Sequence, residues 1–178
     1  MTGRQQARVR SQIYLRLRTR RLDLFPCSAQ VAQAAVQGRA DLEPVLGARV
    51  PDDWPASDLL EFLPTYARQL QTDPSLLGWG IWLMVHREEQ TLVGDLGFKG
   101  RPDDGGAVEI GYRVLPAYRR QGFASEAVRA LVDWALDQQG VRRITAECSA
   151  DNVPSIRVLE KAGLRLAQAD GSLLRWET

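Results

Sequence analysis

From residue 109 to 114 apolar and polar positions alternate, with Ile110, Tyr112 and Val114 on one face of an extended chain and Glu109, Gly111 and Arg113 on the other. That is the period of a β-strand, and Pro116 closes it. After Gly122 the period changes, and Ala127, Val128, Leu131, Val132, Ala135 and Leu136 recur at helical spacing. A helix that buries this stripe and ends near Gly140 is predicted.

The same reading extends along the chain. Residues 19–25 alternate up to Pro26 and predict a first strand, and a helix follows from about Ser28 to Gln37, ended by Gly38. Residues 47–55 form a loop rich in Gly, Pro and Asp. A second helix starts at Ser57, a cap candidate with Asp58 and Glu61 behind it, and Pro64 predicts a break or kink within it. Residues 79–85 and 91–99 read as an antiparallel pair across a charged turn, and a loop at 100–106 leads into the strand at 109–114. Residues 143–148 predict another strand, Asn152, Val153, Pro154 and Ser155 open a helix that ends at Gly163, and residues 164–177 supply one or two strands. No repeat is present. The expectation is one domain over 19–178 behind a basic, loosely ordered extension at 1–18.

Strand, turn and helix around 109–136 together suggest chemistry. Unpaired N–H groups and the positive end of the helix dipole favour an anion at the turn from Arg119 to Ser125. Gly122 and Ala124 let a phosphate approach the main chain, and Arg119 and Arg120 add charge. A P-loop requires Gly-Lys-Ser/Thr before its helix, which is missing. A dinucleotide fingerprint requires Gly-x-Gly-x-x-Gly, whereas Gly94, Gly97 and Gly100 are spaced by three within a hairpin.

Composition narrows the setting. The 178 residues are 44% hydrophobic and 25% charged, as in ordinary globular domains. The longest apolar run is too short to cross a bilayer and no apolar signal segment follows the N-terminal charges, so the expected location is cytoplasmic, away from membranes. Cys27 and Cys148 have no metal or redox spacing, and His86 is the one histidine, so no metal is expected. Residues 1–22 hold seven of the 23 basic residues (Arg4, Arg8, Arg10, Arg16, Arg18, Arg20, Arg21) and no acid, leaving the remainder acidic by six. The arm is read as a solvated extension or first strand rather than a nucleic-acid contact. The acidic body favours a cationic acceptor.

Three segments then carry a family resemblance: Thr19-Arg20-Arg21-Leu22-Asp23-Leu24, Arg119-Arg120-Gln121-Gly122-Phe123-Ala124, and the run from Asp151 through Asn152-Val153-Pro154-Ser155 to Gly163-Leu164. In this order they resemble the GNAT superfamily of N-acetyltransferases, within it the branch of ribosomal-protein N-terminal acetyltransferases, over residues 19–178. The resemblance implies an α/β (α+β) domain whose mixed, mostly antiparallel sheet, flanked by helices on both faces, splays between its fourth and fifth strands to admit acetyl-CoA. Pantetheine would pair with the backbone of Tyr112, Arg113 and Val114. Pyrophosphate would meet Arg120, Gln121, Gly122, Phe123, Ala124 and Ser125, with Arg119 in the leading basic position. Asn152 matches a cofactor-contacting asparagine and is equally a good N-cap.

An amine must lose a proton before attacking a thioester, since its reference pKa is about 8 for an α-amine and about 10.4 for lysine. Glu147 is the first base candidate, alternating away from Ile144, Ala146 and Cys148 and aligning with the family's base. Glu109, across the opening, is the second; ion pairing is the plainer role of each. A backbone N–H near Val114 would stabilise the thioester oxygen. Where the family often has a tyrosine acid, this chain has Leu159. Ser155, or water held by it, is a substitute, with a first-turn cap partner as its plainer role. Trp79, Trp82 and Trp134 read as core, and Trp54, beside Asp52 and Asp53, as the candidate for an acceptor pocket. The expected activity is direct acetyl transfer to a primary amine of a protein N-terminus or small molecule. The alternative is a non-catalytic acyl-CoA-binding or sensing module, and a third is a ribosome- or RNA-associated protein using the arginine arm. A homodimer is left open.

Overall fold

The computed structural model describes residues 15–178. Eight strands form one sheet in the order β1-β2-β3-β4-β5-β6-β8-β7. They are β1 (Leu17–Arg18), β2 (Leu22–Pro26), β3 (Ile81–His86), β4 (Thr91–Phe98), β5 (Ala107–Val114), β6 (Arg143–Ser149), β7 (Arg165–Asp170) and β8 (Leu173–Glu177). Every neighbouring pair is antiparallel except β5 and β6. The described helices are α1 (Ala29–Gln37), α2 (Arg39–Leu46), α3 (Ser57–Thr72), α4 (Phe123–Leu136) and α5 (Val153–Lys161).

Each sheet face has its own core. Leu22, Leu24, Trp82, Met84, Val108, Ile110 and Ile144 meet the apolar stripe of α4 and Leu159 of α5. Leu83, Val85 and Leu92 meet α1, α2 and α3 on the opposite face, through Ala32, Leu42, Leu63 and Tyr66. The α4 stripe is as predicted up to Ala135, whereas Leu136 is 41% exposed. Trp79, Trp82 and Trp134 cluster with Phe98 in the first core.

Several local expectations are corrected. The strand predicted over 19–25 begins at Leu22, because Thr19 bends the chain, its N–H donating to the Leu22 carbonyl and its hydroxyl accepting from the Leu22 N–H. Pro26 is the last residue of β2, not its stop, and lies opposite Trp82. Arg39–Leu46, for which the pattern predicts nothing, is a helix despite Pro44. In α3 the N-cap is Ala56, with no side-chain bond, and Ser57 is the first helical residue. The helix runs through Pro64, burying Leu63, Tyr66, Ala67 and Leu70. The carbonyl that Pro64 leaves without its helical donor belongs to Leu60, which is exposed and open to water.

The feature that positions the site is the parting of β5 from β6. They pair only over Ala107–Arg143, Val108–Ile144 and Glu109–Thr145. Beyond that, β5 pairs with β4 from Ile110 to Val114 and β6 with β8 from Thr145 to Ser149, so the inner edges of β5 and β6 face a gap. With Leu17–Arg18 counted as β1, this is the splay expected between the family's fourth and fifth strands.

Candidate active site

The mouth of the gap is the turn into α4. Gly122 is the N-cap at φ +84°, no side chain caps the helix, and Arg120 is also left-handed at φ +62°. The first-turn amides of Phe123, Ala124 and Ser125 are thus available to an anion, as a pyrophosphate requires. The Phe123 ring is buried, so that residue offers only its main chain. Arg119 turns back, its Nε donating to the Val114 carbonyl at 3.0 Å, and Gln121 donates to the Ala117 carbonyl at 3.2 Å. These two side chains shape the turn.

The one acid in the first turn of α4 is held away from the anion site. Glu126 accepts from the Thr19 hydroxyl at 2.6 Å, the Arg21 N–H at 2.7 Å and the Arg21 Nε at 2.8 Å. Burial raises its pKa, but these bonds outweigh burial and hold it below the usual value. Arg21 also donates to the Gln121 carbonyl at 2.9 Å and lies over the Phe123 ring, 4.5 Å from its centroid. The sequence reading missed this clip, whose signal was the adjacency of Arg21 to the first strand. Of the other described arginines of the arm, Arg16 and Arg18 flank the buried Asp23 at 2.7 and 3.8 Å. Arg4, Arg8 and Arg10 lie outside the described residues.

On the face shared with α3, the sheet gathers the carboxylates. Thr145, Glu147 and Ser149 point away from the Ile144, Ala146 and Cys148 core. Glu147 accepts from Arg175 Nε at 3.0 Å, and its side chain is 38% exposed. Glu109 is ion-paired with Lys99. It stands beside Thr145, at the vertex where the strands still pair, rather than across the opening. Glu147 lies two residues further, roughly 7 Å along the strand. Two residues beyond Glu109, on the same face, β5 presents Gly111, and a Cβ built there would meet nothing within 4 Å. The space over this glycine is open.

A third carboxylate on this face was not read from sequence. The β3–β4 register slips by one residue between Met84 and Val85, and a slip of one exchanges faces. Asp95, opposite Arg113, consequently shares the α3 side. It accepts from Trp54 Nε1 at 2.9 Å. Arg113 is held by Asp58 of α3 through two bonds of 2.9 Å, so the trio of Asp95, Arg113 and Asp58 carries net negative charge. Burial raises the Asp95 pKa, against the opposing pull of Trp54 and Arg113. Trp54 is a buried wall, 4% exposed, not a surface of the acidic loop. A lone acid inside the apolar run of β4 was the signal that could have found Asp95.

On the other face, Asn152 caps α5 by accepting from the Ser155 N–H at 3.2 Å. Tyr112 reaches over from β5 and donates its hydroxyl to the Ser155 carbonyl at 3.2 Å. Leu159 is buried in the core. Among the described residues no His, Cys, Asp and Glu side chains cluster as metal ligands would, and no helix is long and apolar enough to cross a membrane.

A parted sheet that opens onto an uncapped helix N-terminus, with carboxylates on one face, is the arrangement that the resemblance to the N-acetyltransferases implies. Residues 21–165 match the family described as acetyltransferase (GNAT) domain. The chain belongs to the GNAT acetyltransferases. It is 34% identical over 160 residues, 90% of this chain and 95% of the other, to the uncharacterized N-acetyltransferase YjdG of Bacillus subtilis. Its fold is similar to that of a ribosomal-protein-S5-alanine acetyltransferase from Vibrio fischeri (TM-score 0.66, 16% identity, covering 92% of this chain and 96% of that one). It is also similar to a ribosomal L7/L12 α-N-protein acetyltransferase in complex with coenzyme A (TM-score 0.64, 17% identity, 92% and 97%).

Proposed function

We propose that this N-acetyltransferase passes the acetyl group of acetyl-CoA directly to a primary amine, of a protein N-terminus or a small molecule, within a ternary complex. Tyr112, Arg113 and Val114 would pair with pantetheine along the free edge of β5, and Arg120 to Ser125 would hold the pyrophosphate, with Asn152 beside it. Glu147, oriented by Arg175, takes the proton from the acceptor, directly or through a water, while Glu109 with Lys99 closes the vertex. A backbone N–H near Val114 hydrogen-bonds the thioester oxygen as it gains charge. Asp95 attracts the acceptor in its ammonium form.

The observation that supports this reading most is the parting of β5 from β6 after the Glu109–Thr145 pair, which leaves the inner edge of β5 free towards Val114 and the uncapped start of α4. The test is calorimetric binding of acetyl-CoA together with thiol release across a panel of amines. Saturable binding and amine-dependent thiol release are expected; binding to neither acetyl-CoA nor CoA would refute the reading at its root.

One set of observations favours a second reading, a non-catalytic acyl-CoA sensor. Glu147 and Glu109 are each engaged by a cation, and Leu159 stands where a tyrosine acid is common. That reading predicts binding without thiol release for any amine in the panel.

A further inference from the structure

α5 has no phenol to offer the departing sulfur, since Leu159 is 1% exposed and packed into the core. The opposite wall of the gap has one. Tyr112 sits on β5 beyond the last β5–β6 pair, Glu109–Thr145, in the segment whose inner edge is free. Its ring packs against the core on the α4–α5 side. Its hydroxyl crosses to α5 and donates to the Ser155 carbonyl at 3.2 Å. Ser155 precedes Leu159 by four residues, about one helical turn. The Tyr112 oxygen therefore reaches the same helix one turn earlier, from the other side of the gap.

Building on the N-acetyltransferase reading above, we propose that Tyr112 supplies the proton that the CoA sulfur takes up as it leaves. The amine nitrogen bonds to the acetyl carbon, the C–S bond breaks with its electron pair going to sulfur, and the Tyr112 O–H donates first a hydrogen bond and then its proton to that sulfur. The phenolate regains a proton from solvent, balancing the one that Glu147 removes from the amine. A carbonyl is a replaceable acceptor for this hydroxyl, so redirecting it from Ser155 to sulfur breaks no ion pair. Burial raises the phenol's pKa, partly offset by the bond to Ser155. The ionisable group beside it is Cys148 of β6, which also acts to raise it. The donor thus stays protonated at neutral pH. Ser155 is less suited as the proton donor, because an aliphatic hydroxyl is a far weaker acid than a phenol.

The test is Tyr112→Phe, assayed by thiol release at saturating acetyl-CoA and acceptor, alongside acetyl-CoA affinity by calorimetry and the thermal midpoint. General acid catalysis commonly contributes about a hundredfold or more, and a thiolate is already a fair leaving group. The expected loss is therefore roughly tenfold to a hundredfold in kcat, with donor affinity and midpoint unchanged. The double variant Tyr112→Phe/Leu159→Tyr, which returns a phenol from the α5 side, is expected to recover part of kcat if it retains the wild-type circular dichroism. A kcat within threefold of wild type in Tyr112→Phe overturns the proposal, as does a loss that follows donor affinity or folding instead of kcat. Failure of the wild-type protein to release thiol with any amine sinks the transferase reading itself, a separate outcome.

Discussion

At the scale of single residues, each of the three carboxylates on the sheet face shared with α3 has a different partner. Glu147 is held by Arg175 from β8 and keeps 38% of its side chain exposed. Glu109 is paired with Lys99 at the vertex, where the strands are still joined. Asp95 receives a neutral donor, Trp54, and lies beside an Arg113 already engaged by Asp58. Its pKa is raised, chiefly by burial. A carboxyl whose folded pKa lies above its unfolded value contributes stability below the unfolded value and loses it as pH rises through the folded one. Ionised Asp95 is therefore a cost to the fold at neutral pH. Asp95→Asn keeps an acceptor for the indole N–H, and two results are expected of it. The thermal midpoint at pH 7 rises, and KM for a cationic acceptor increases roughly tenfold to a hundredfold through loss of a charged hydrogen bond, with acetyl-CoA affinity unchanged. Steady-state kinetics with acceptor varied, beside a melt at the same pH, checks both. The face that Glu147 occupies was legible from strand alternation. Asp95 was not, because a one-residue slip in register reverses the face that alternation assigns.

At the scale of elements, the entrance to α4 depends on a contact made more than a hundred residues away in sequence. Glu126 would place a negative charge in the first turn, close to where pyrophosphate is expected, had Thr19 and Arg21 not engaged it. The same arginine braces the loop through the Gln121 carbonyl and covers Phe123. Because Glu126 has a depressed pKa, its contribution is present above the unfolded value of about 4.3 and is lost as pH falls through the lower folded value. Glu126→Gln should cost roughly 1 kcal/mol at pH 7, discounted for solvent at the helix surface. The gap from wild type should narrow on acidification below about pH 4. Urea unfolding at several pH values measures this; a gap that stays constant from pH 7 to pH 3 would remove the ionic clip. The apolar stripe located α4, while Ser28 with Gly38 and Asn152 with Gly163 located α1 and α5. The pattern did not locate α2, which holds Pro44, or the continuity of α3, where Pro64 reads locally as a breaker. Burial of Leu42 and of the Leu63, Tyr66, Ala67 and Leu70 face outweighs them.

At the scale of the molecule, one sheet carries two cores and parts between them. The β1–β5 half and the β6–β8–β7 half are joined across the sheet by three residue pairs and bridged above it by the packing of α4 on α5, where Arg129 donates to the Lys161 carbonyl. A ligand lying in the gap and bonding the inner edge of β5 supplies contacts that the free protein lacks. Acetyl-CoA at a hundred times its Kd should therefore stabilise the fold by about 2.7 kcal/mol. For a chain of this length that is an upward shift of roughly 5–10 °C in thermal midpoint, measurable by differential scanning fluorimetry. No shift at that concentration would contradict binding in the gap. The parting of the sheet came from the family resemblance; the residue pattern supplied the elements and the antiparallel β3–β4 pair but not the more distant neighbours, because pairing partners far apart in sequence leave no local period.

Whether Glu147 drives proton removal for acetyl transfer at the vertex of the gap is decided by pre-steady-state thiol release from the Glu147→Gln variant, saturated with acetyl-CoA and the best amine of the panel. The expected rate is about a hundredfold or more below wild type, with acetyl-CoA affinity unchanged. A rate within threefold of wild type would strip Glu147 of the role of base.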